Sequence, residues 1–398
     1  MLRSIAARAG AWLRAPRALP APPPLRPFPQ GGFVAFVLPV GASKQVNQSD
    51  AYVTEIASMR LRAVIPARQL AERVPVWFVS LDDFVRDPSL FRFGAPGAIV
   101  ISKIPAPAIL QHRDALGALL ARAAAVTGGV PLFADMPDDL AALGRSVREP
   151  FLARYQKALG ASCTFVVPSG TLGRRLARDA RRGVVVIEDP YENRAGAVRV
   201  APPARLRLLW FGNLGQLNAP MVAAALAGAA GALRWRPLEL ELVTRAAARA
   251  ELEAIGARLH AAHPDCALRV TAWSLEATEA ALERCDLVLI PHETRAEWSA
   301  GKSHNRLVAA IRAGRVAIAS PIPAYLELGE YAWVGDDLAQ GLRWALSHPD
   351  EAAARVRTGQ AAVEARFSPE VVGRKWAAML GLGTRARNEV ESATGGSA

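Results

Sequence analysis

Residues 298–323 read WSAGKSHNRLVAAIRAGRVAIASPIP. The stretch predicts a loop, a helix over 303–313, a glycine stop and a short buried strand over 316–319. Ser303 is placed to cap the helix, because a serine side chain there accepts one of the free N–H groups of the first turn. Leu307, Val308 and Ile311 supply an apolar face, and Ala313-Gly314 ends the helix. Lys302 and Arg306 then flank its first turn. Cations at the positive end of a helix dipole cost roughly 0.3–1 kcal/mol each. A bound anion reverses that sign, since the exposed N–H groups already point at it. The site therefore reads as a seat for a diphosphate; the alternative is an arginine-rich chain with arginines everywhere.

Working outward, short apolar runs at 33–39, 75–80, 98–104, 130–135, 163–168 and 184–188 read as buried strands with helical patterns between them. Of these, Ser58 to Arg73 is the clearest, with Leu61, Ile65 and Leu70 near helical spacing. A Pro/Ala/Arg-rich linker spans about 193–205, and the pattern begins again. Strands are expected at 206–211, 238–243, 267–273, 286–291, 316–319 and 331–335. Helices are expected at 216–231, 246–262, 275–284, 303–313, 337–347 and 350–366. Strands alternating with helices of this length predict βαβ units and parallel sheets. The expected class is α/β, with two Rossmann-like doubly wound domains (33–200 and 201–368) facing each other across a cleft. A closing helix at 369–383 and a tail at 384–398 follow. Ligands of such sheets lie at the carboxyl ends of the strands.

The chain has 398 residues, 51% of them hydrophobic, and a formal net charge of +12. That length is ample for two full cores. No apolar run approaches the ~20 residues of a membrane span. Cys163, Cys266 and Cys285 show neither metal spacing nor an even count for a disulfide framework, so a reducing cytoplasm is expected. The charge is uneven: no acidic residue precedes Asp50, while Arg3, Arg8, Arg14, Arg17, Arg26 and Lys44 do. Residues 1–32, with a Pro-rich spacer from Pro16 to Pro29, read as an interfacial helix on an anionic membrane surface, a transit peptide or a disordered extension. Nucleic acid is not expected as a partner, because zinc-finger spacing, an RNP-like motif and a basic stripe interleaved with aromatics are all missing.

Four segments of the second half carry a family resemblance: DLVLIPH (286–292), KSHNRL (302–307), AIRAGRVAIASPIPAY (310–325) and WVGDD (333–337). With SMRLRAVIPARQLAER (58–73), CTFVVPSGTLGRRL (163–176), VVVIEDPYE (184–192) and FSPEVVGRKWAAML (367–380), they resemble GT-B glycosyltransferases of family 4, over about residues 33–380. The resemblance implies a nucleotide-sugar donor held on the second domain with its diphosphate near a helix N-terminus. It implies an acceptor on the first domain and hexosyl transfer driven by stabilising the leaving diphosphate. No metal and no cofactor beyond the nucleotide-sugar co-substrate are expected. The chain departs from the family in two places. The loop FGNLGQLNAP (211–220) has Asn213 and Asn218 where the family carries Arg and Lys. The family's paired glutamates would fall near Gly301 and Ala309.

Under this reading Lys302 and Arg306 are catalytic, and Ser303 and Asn305 bind the donor beside them. Gly212, Asn213 and Gly215 form a strand-to-helix turn where backbone N–H groups can approach a phosphate or sugar. His292 and Glu293 end a strand at the cleft edge and face sugar hydroxyls or base; the alternative is a water-exposed terminus. Asp135, with Asp138 nearby, is placed to act on an acceptor hydroxyl; the alternative is a helix cap. Lys103 ends the preceding strand at the same edge. Arg60 and Arg62 read as a solvated helix face or as an anionic-acceptor site, and Ser169 as an N-cap. The expected function is hexosyl transfer to a glycan or lipid-linked acceptor in making a cell-surface polysaccharide, glycolipid or modified glycan, in the cytoplasm or peripherally on the inner membrane face. The alternatives are a catalytically degenerate glycan-binding or scaffold protein, motivated by the missing glutamates, and a nucleotide-sugar epimerase.

Overall fold

The computed structural model describes residues 19, 28–29, 32–39, 44–46, 56–86, 96–111, 113, 116–119, 121, 130–199, 204–215, 218–245 and 249–382. Apart from 19, 28 and 29, the residues 1–30 of which membrane contact is expected lie outside the described residues, as does the tail 384–398.

The first half forms a seven-stranded sheet: β1 (Phe33–Leu38), β2 (Lys44–Gln45), β3 (Val76–Ser80), β4 (Pro96–Ile101), β5 (Leu132–Asp135), β6 (Thr164–Val167) and β7 (Val184–Val186), in the order β2-β3-β1-β4-β5-β6-β7. Every pairing is parallel except that of β2, a two-residue antiparallel edge that the apolar pattern did not announce. The second half forms a six-stranded sheet: β8 (Leu206–Phe211), β9 (Leu238–Thr244), β10 (Ala267–Ala272), β11 (Leu287–Ile290), β12 (Val316–Ala319) and β13 (Trp333–Val334), in the order β10-β9-β8-β11-β12-β13, all parallel.

Most strands are buried on both faces, which is why they read as apolar runs; the edge strands β2 and β10 are not. In β1, Ala35 and Val37 enter one core while Val34, Phe36 and Leu38 enter the other. In β8, Leu206, Leu208 and Trp210 pack on one side and Leu209 and Phe211 on the other. The expected helices over 275–284, 337–347 and 350–366 appear as Leu275–Arg284, Leu338–Ser347 and Pro349–Phe367. Those expected from 216 and 246 are described from Ala219 and Arg249.

Two features tie the halves together. The connecting chain runs along the second half, with Gly196 N–H donating to Arg312 O and Arg199 N–H to Gly314 O. Gly314 has φ +74°, and a Cβ there would stand 2.4 Å from the Ala197 carbonyl, so only glycine lets the helix end and the connection meet. The last helix, Pro369–Met379, returns to the first half, where Val372 and fully buried Trp376 enter the core behind β1. The Trp376 and Phe36 rings lie 5.7 Å apart.

The early helix departs from simple periodicity. Ala57–Met59 runs into a π-helical segment, Arg60–Val64, before Ile65–Ala71 continues as an α-helix. Arg60 and Arg62 are buried, not solvated. Arg62 lies between Asp135 (2.7 Å) and Asp189 (3.2 Å) and also donates to Ile187 O. Arg60 pairs with Glu192 at 2.7 Å and covers the Trp273 ring at 4.5 Å.

Candidate active site

In the second sheet, β8 sits beside β11, and the chain departs on opposite sides from this point; such a switch point opens a crevice beyond the strand ends. The residues that follow these two strands, Phe211 to Asn213 and Pro291 to Glu293, line a cleft of about 730 Å³. Its opposite wall is supplied by the first half, including Arg60, Lys103, Asp138, Asp189 and Glu192. Lys302, Ser303, Asn305 and Arg306 line it as well.

The helix at this position is Asn305–Arg312, with His304 as its N-cap and no side-chain cap hydrogen bond. Ser303 therefore does not cap it. Glu297–Gly301 forms a tight 3-10 turn and Lys302 is extended, which places His304 at the cap position. Elsewhere Asp139, Ser169, Ser274, Asp337 and Ser368 all cap their helices with side-chain oxygens. An N-terminus without such a cap, opening on the cleft between two cations, has the electrostatics of an anion site.

Arg306 reaches across this N-terminus. Its Nη2 donates to His292 Nε2 at 2.6 Å, and the Tyr325 hydroxyl lies 3.2 Å from the same nitrogen. A guanidinium can only donate, so Nε2 accepts and the imidazole is neutral there. Burial, then the charges of Arg306 and Lys302, hold the His292 pKa well below its ordinary value. Lys302 stands over the Trp298 ring at 5.3 Å, and its ammonium donates to Asp138 Oδ1 at 2.7 Å. Lys103 takes the other oxygen, Oδ2. Burial alone would raise the Asp138 carboxyl, but the two lysines outweigh it and hold it far below the usual carboxylate range.

Other expected residues have different surroundings. The N–H of Gly212 is spent on Val243 O and that of Gly215 on Asn218 Oδ1, so neither is offered to a ligand in this arrangement. Asn213 and Glu293 line the cleft; Glu293 accepts from Arg295 N–H. Asn305 Oδ1 accepts from Arg306 N–H. Asp135 is corrected: its side chain is fully buried and bonded to Arg62, so it cannot touch an acceptor. Its neighbour Asp138 holds the cleft position, and Asp139, one further on, is the helix cap. Where the resemblance would put the paired glutamates, Gly301 packs so closely that a Cβ would meet Leu172 at 2.9 Å, and Ala309 lines the cleft. Tyr191, Glu192, Asn193, Trp273 and Glu279 also line it and were not singled out; Asp189–Asn193 sits just after β7, so the strand-end rule alone could have marked it.

No family model matches the chain, and no curated protein does. Solved structures do. HepE from Anabaena, in complex with UDP and glucose, superposes with a TM-score of 0.60 at 12% identity, over 88% of this chain and 99% of that one. A glycosyltransferase from Rickettsia africae gives 0.61 at 11%, over 88% and 98%. The fold is GT-B. A UDP-forming alpha,alpha-trehalose-phosphate synthase from Burkholderia xenovorans gives 0.52 at 12%, over 78% and 89%. At such identities what these proteins share with this chain is the GT-B architecture, which puts its cleft between the two sheets. No helix among the described residues is long and apolar enough to cross a membrane.

Proposed function

We propose that this chain is a glycosyltransferase that moves a hexosyl group from a nucleotide-sugar to a hydroxyl of a glycan or lipid-linked acceptor. The observation that carries the reading is the Asn305–Arg312 helix, whose N-terminus lacks a side-chain cap and faces the cleft with Lys302 and Arg306 beside it. The binding of UDP and glucose by HepE, which has the same architecture, supports it.

On this reading the diphosphate is held by Lys302, the Arg306 side chain and the first-turn N–H groups other than that of Arg306, which Asn305 Oδ1 already takes. Charge grows on the leaving oxygen as the glycosidic bond stretches, and donors fixed around it stabilise that charge. His292 keeps Arg306 in place: a neutral ring nitrogen accepts from the guanidinium without cancelling its charge. Asp138 has a poor profile for a general base, because a carboxylate held far below its normal pKa takes up protons weakly. The donor wall therefore supplies most of the catalysis, and the first half positions the acceptor.

Titration calorimetry with UDP and GDP tests the reading. Lys302→Ala should weaken the better of the two by about tenfold, the loss of one charged hydrogen bond. A Kd unchanged by that substitution would remove the diphosphate from Lys302. The scaffold reading draws on Gly301 and Ala309, which leave both glutamate positions without a carboxylate. It predicts binding of glycan with no nucleotide affinity and no hydrolysis of any activated sugar.

A further inference from the structure

The Lys302–Asp138 ion pair joins the two walls of the cleft. Lys302 precedes the helix of the second half, and Asp138 follows β5 of the first. The carboxylate is divided between two ammonium groups, Oδ1 to Lys302 and Oδ2 to Lys103. All three side chains retain some exposure to the cleft, with 35% for Lys302, 18% for Asp138 and 25% for Lys103. The pair is therefore open to competition from a dissolved anion.

From this geometry, and resting on the nucleotide-sugar reading above, we propose that Asp138 is a stand-in for the donor's diphosphate: it competes for Lys302, and donor binding replaces it. A carboxylate and a diphosphate on one ammonium would be like charges side by side, a repulsive arrangement in a partly desolvated cleft. The exchange is clean because Asp138 has a second partner. When Lys302 turns to the diphosphate, Lys103 keeps the carboxylate through Oδ2 on its own wall, and Oδ1 is left facing the cleft. No charge is stranded at any stage. The Trp298 ring beneath Lys302 keeps the ammonium near the helix N-terminus during the exchange. Asp138 is thus a positioning residue for Lys302, and its negative charge weakens donor affinity.

The sign of that effect is opposite to what a ligand-holding or structural carboxylate would give, and this makes the test sharp. UDP and GDP are titrated into the full chain and into Asp138→Asn, Asp138→Ala, Lys302→Ala and the double variant Asp138→Asn/Lys302→Ala. Removing the charge at 138 should tighten the better nucleotide by roughly tenfold, equivalent to about 1.4 kcal/mol. In the Lys302→Ala background the same substitution should have no effect, because the competition runs through Lys302. If both substitutions at 138 leave Kd unchanged or raise it while Lys302→Ala weakens binding, the stand-in is wrong and the donor reading survives. Tightening that persists without Lys302 would show a general field effect and would also overturn it. If the unaltered chain binds neither nucleotide, both readings fall.

Discussion

His292 is a histidine whose task depends on being uncharged. Its Nε2 accepts from Arg306, and its pKa lies well below the ordinary value of 6.5. The unfolded chain therefore takes up this proton first as the pH falls. The stability contributed by the neutral ring is complete above about pH 6.5 and drains as the pH drops toward the folded-state pKa, at no more than about 1.4 kcal/mol per pH unit. Thermal melts at about pH 7.5 and about pH 5.5 should show this, and His292→Gln, which does not titrate, should lose less Tm between them. Equal losses would mean that the proton is taken up elsewhere. Asp138 shifts in the same sense, in a lower pH window. Its carboxyl pKa is depressed, so its ion pairs are intact above the unfolded carboxylate value of 3.8 and weaken only below it. Residue type and position made Lys302, Arg306 and His292 legible in the sequence. Asp135 and Asp138 could not be told apart there, because three positions in a loop reverse the direction a side chain faces, and only the Arg62 pairing decides which carboxylate is buried.

At the scale of the element, the π segment Arg60–Val64 decides the first wall of the cleft. A π turn carries an extra residue and changes which side chains face the sheet. The apolar spacing of Leu61, Ile65 and Leu70 identified a helix but gave no sign of the insertion, so Arg60 and Arg62 read as solvated. In the structure Arg62 pairs with both Asp135 and Asp189 in the interior. Arg62→Met should cost about 3–5 kcal/mol in urea unfolding, because it leaves two carboxylates buried without a cation. A loss below about 0.5 kcal/mol would instead be the behaviour of an exposed arginine. The Asn305–Arg312 helix shows the converse. Its apolar face and its glycine stop were plain in the sequence, yet its start was misplaced by two residues. A serine before a helix is the commonest signal of a cap, and the chain here leaves the N-terminus open. The interior strands were the most legible elements, because burial on both faces makes most of them apolar runs, whereas the short edge strand β2 left no such signal.

For the whole molecule, the two-sheet layout followed from the pattern's beginning again after the linker. The closing helix was read from the same pattern, and the structure adds its destination. Pro369–Met379 belongs to the core of the first sheet, where Trp376 is fully buried against Phe36 and under Arg62. Trp376→Ala should cost about 3–5 kcal/mol, and hydrogen exchange should locate the loss in β1 and β3 rather than in β8 and β9. Uniform loss over both sheets would mean that the halves unfold as one unit.

That return also sets an order of events during synthesis. Strand β1 leaves the ribosome more than three hundred residues before the helix that completes its hydrophobic layer. The amino-terminal half must therefore wait, partly uncovered, while the carboxyl-terminal half emerges and folds, and it matures only once the final helix has cleared the exit tunnel.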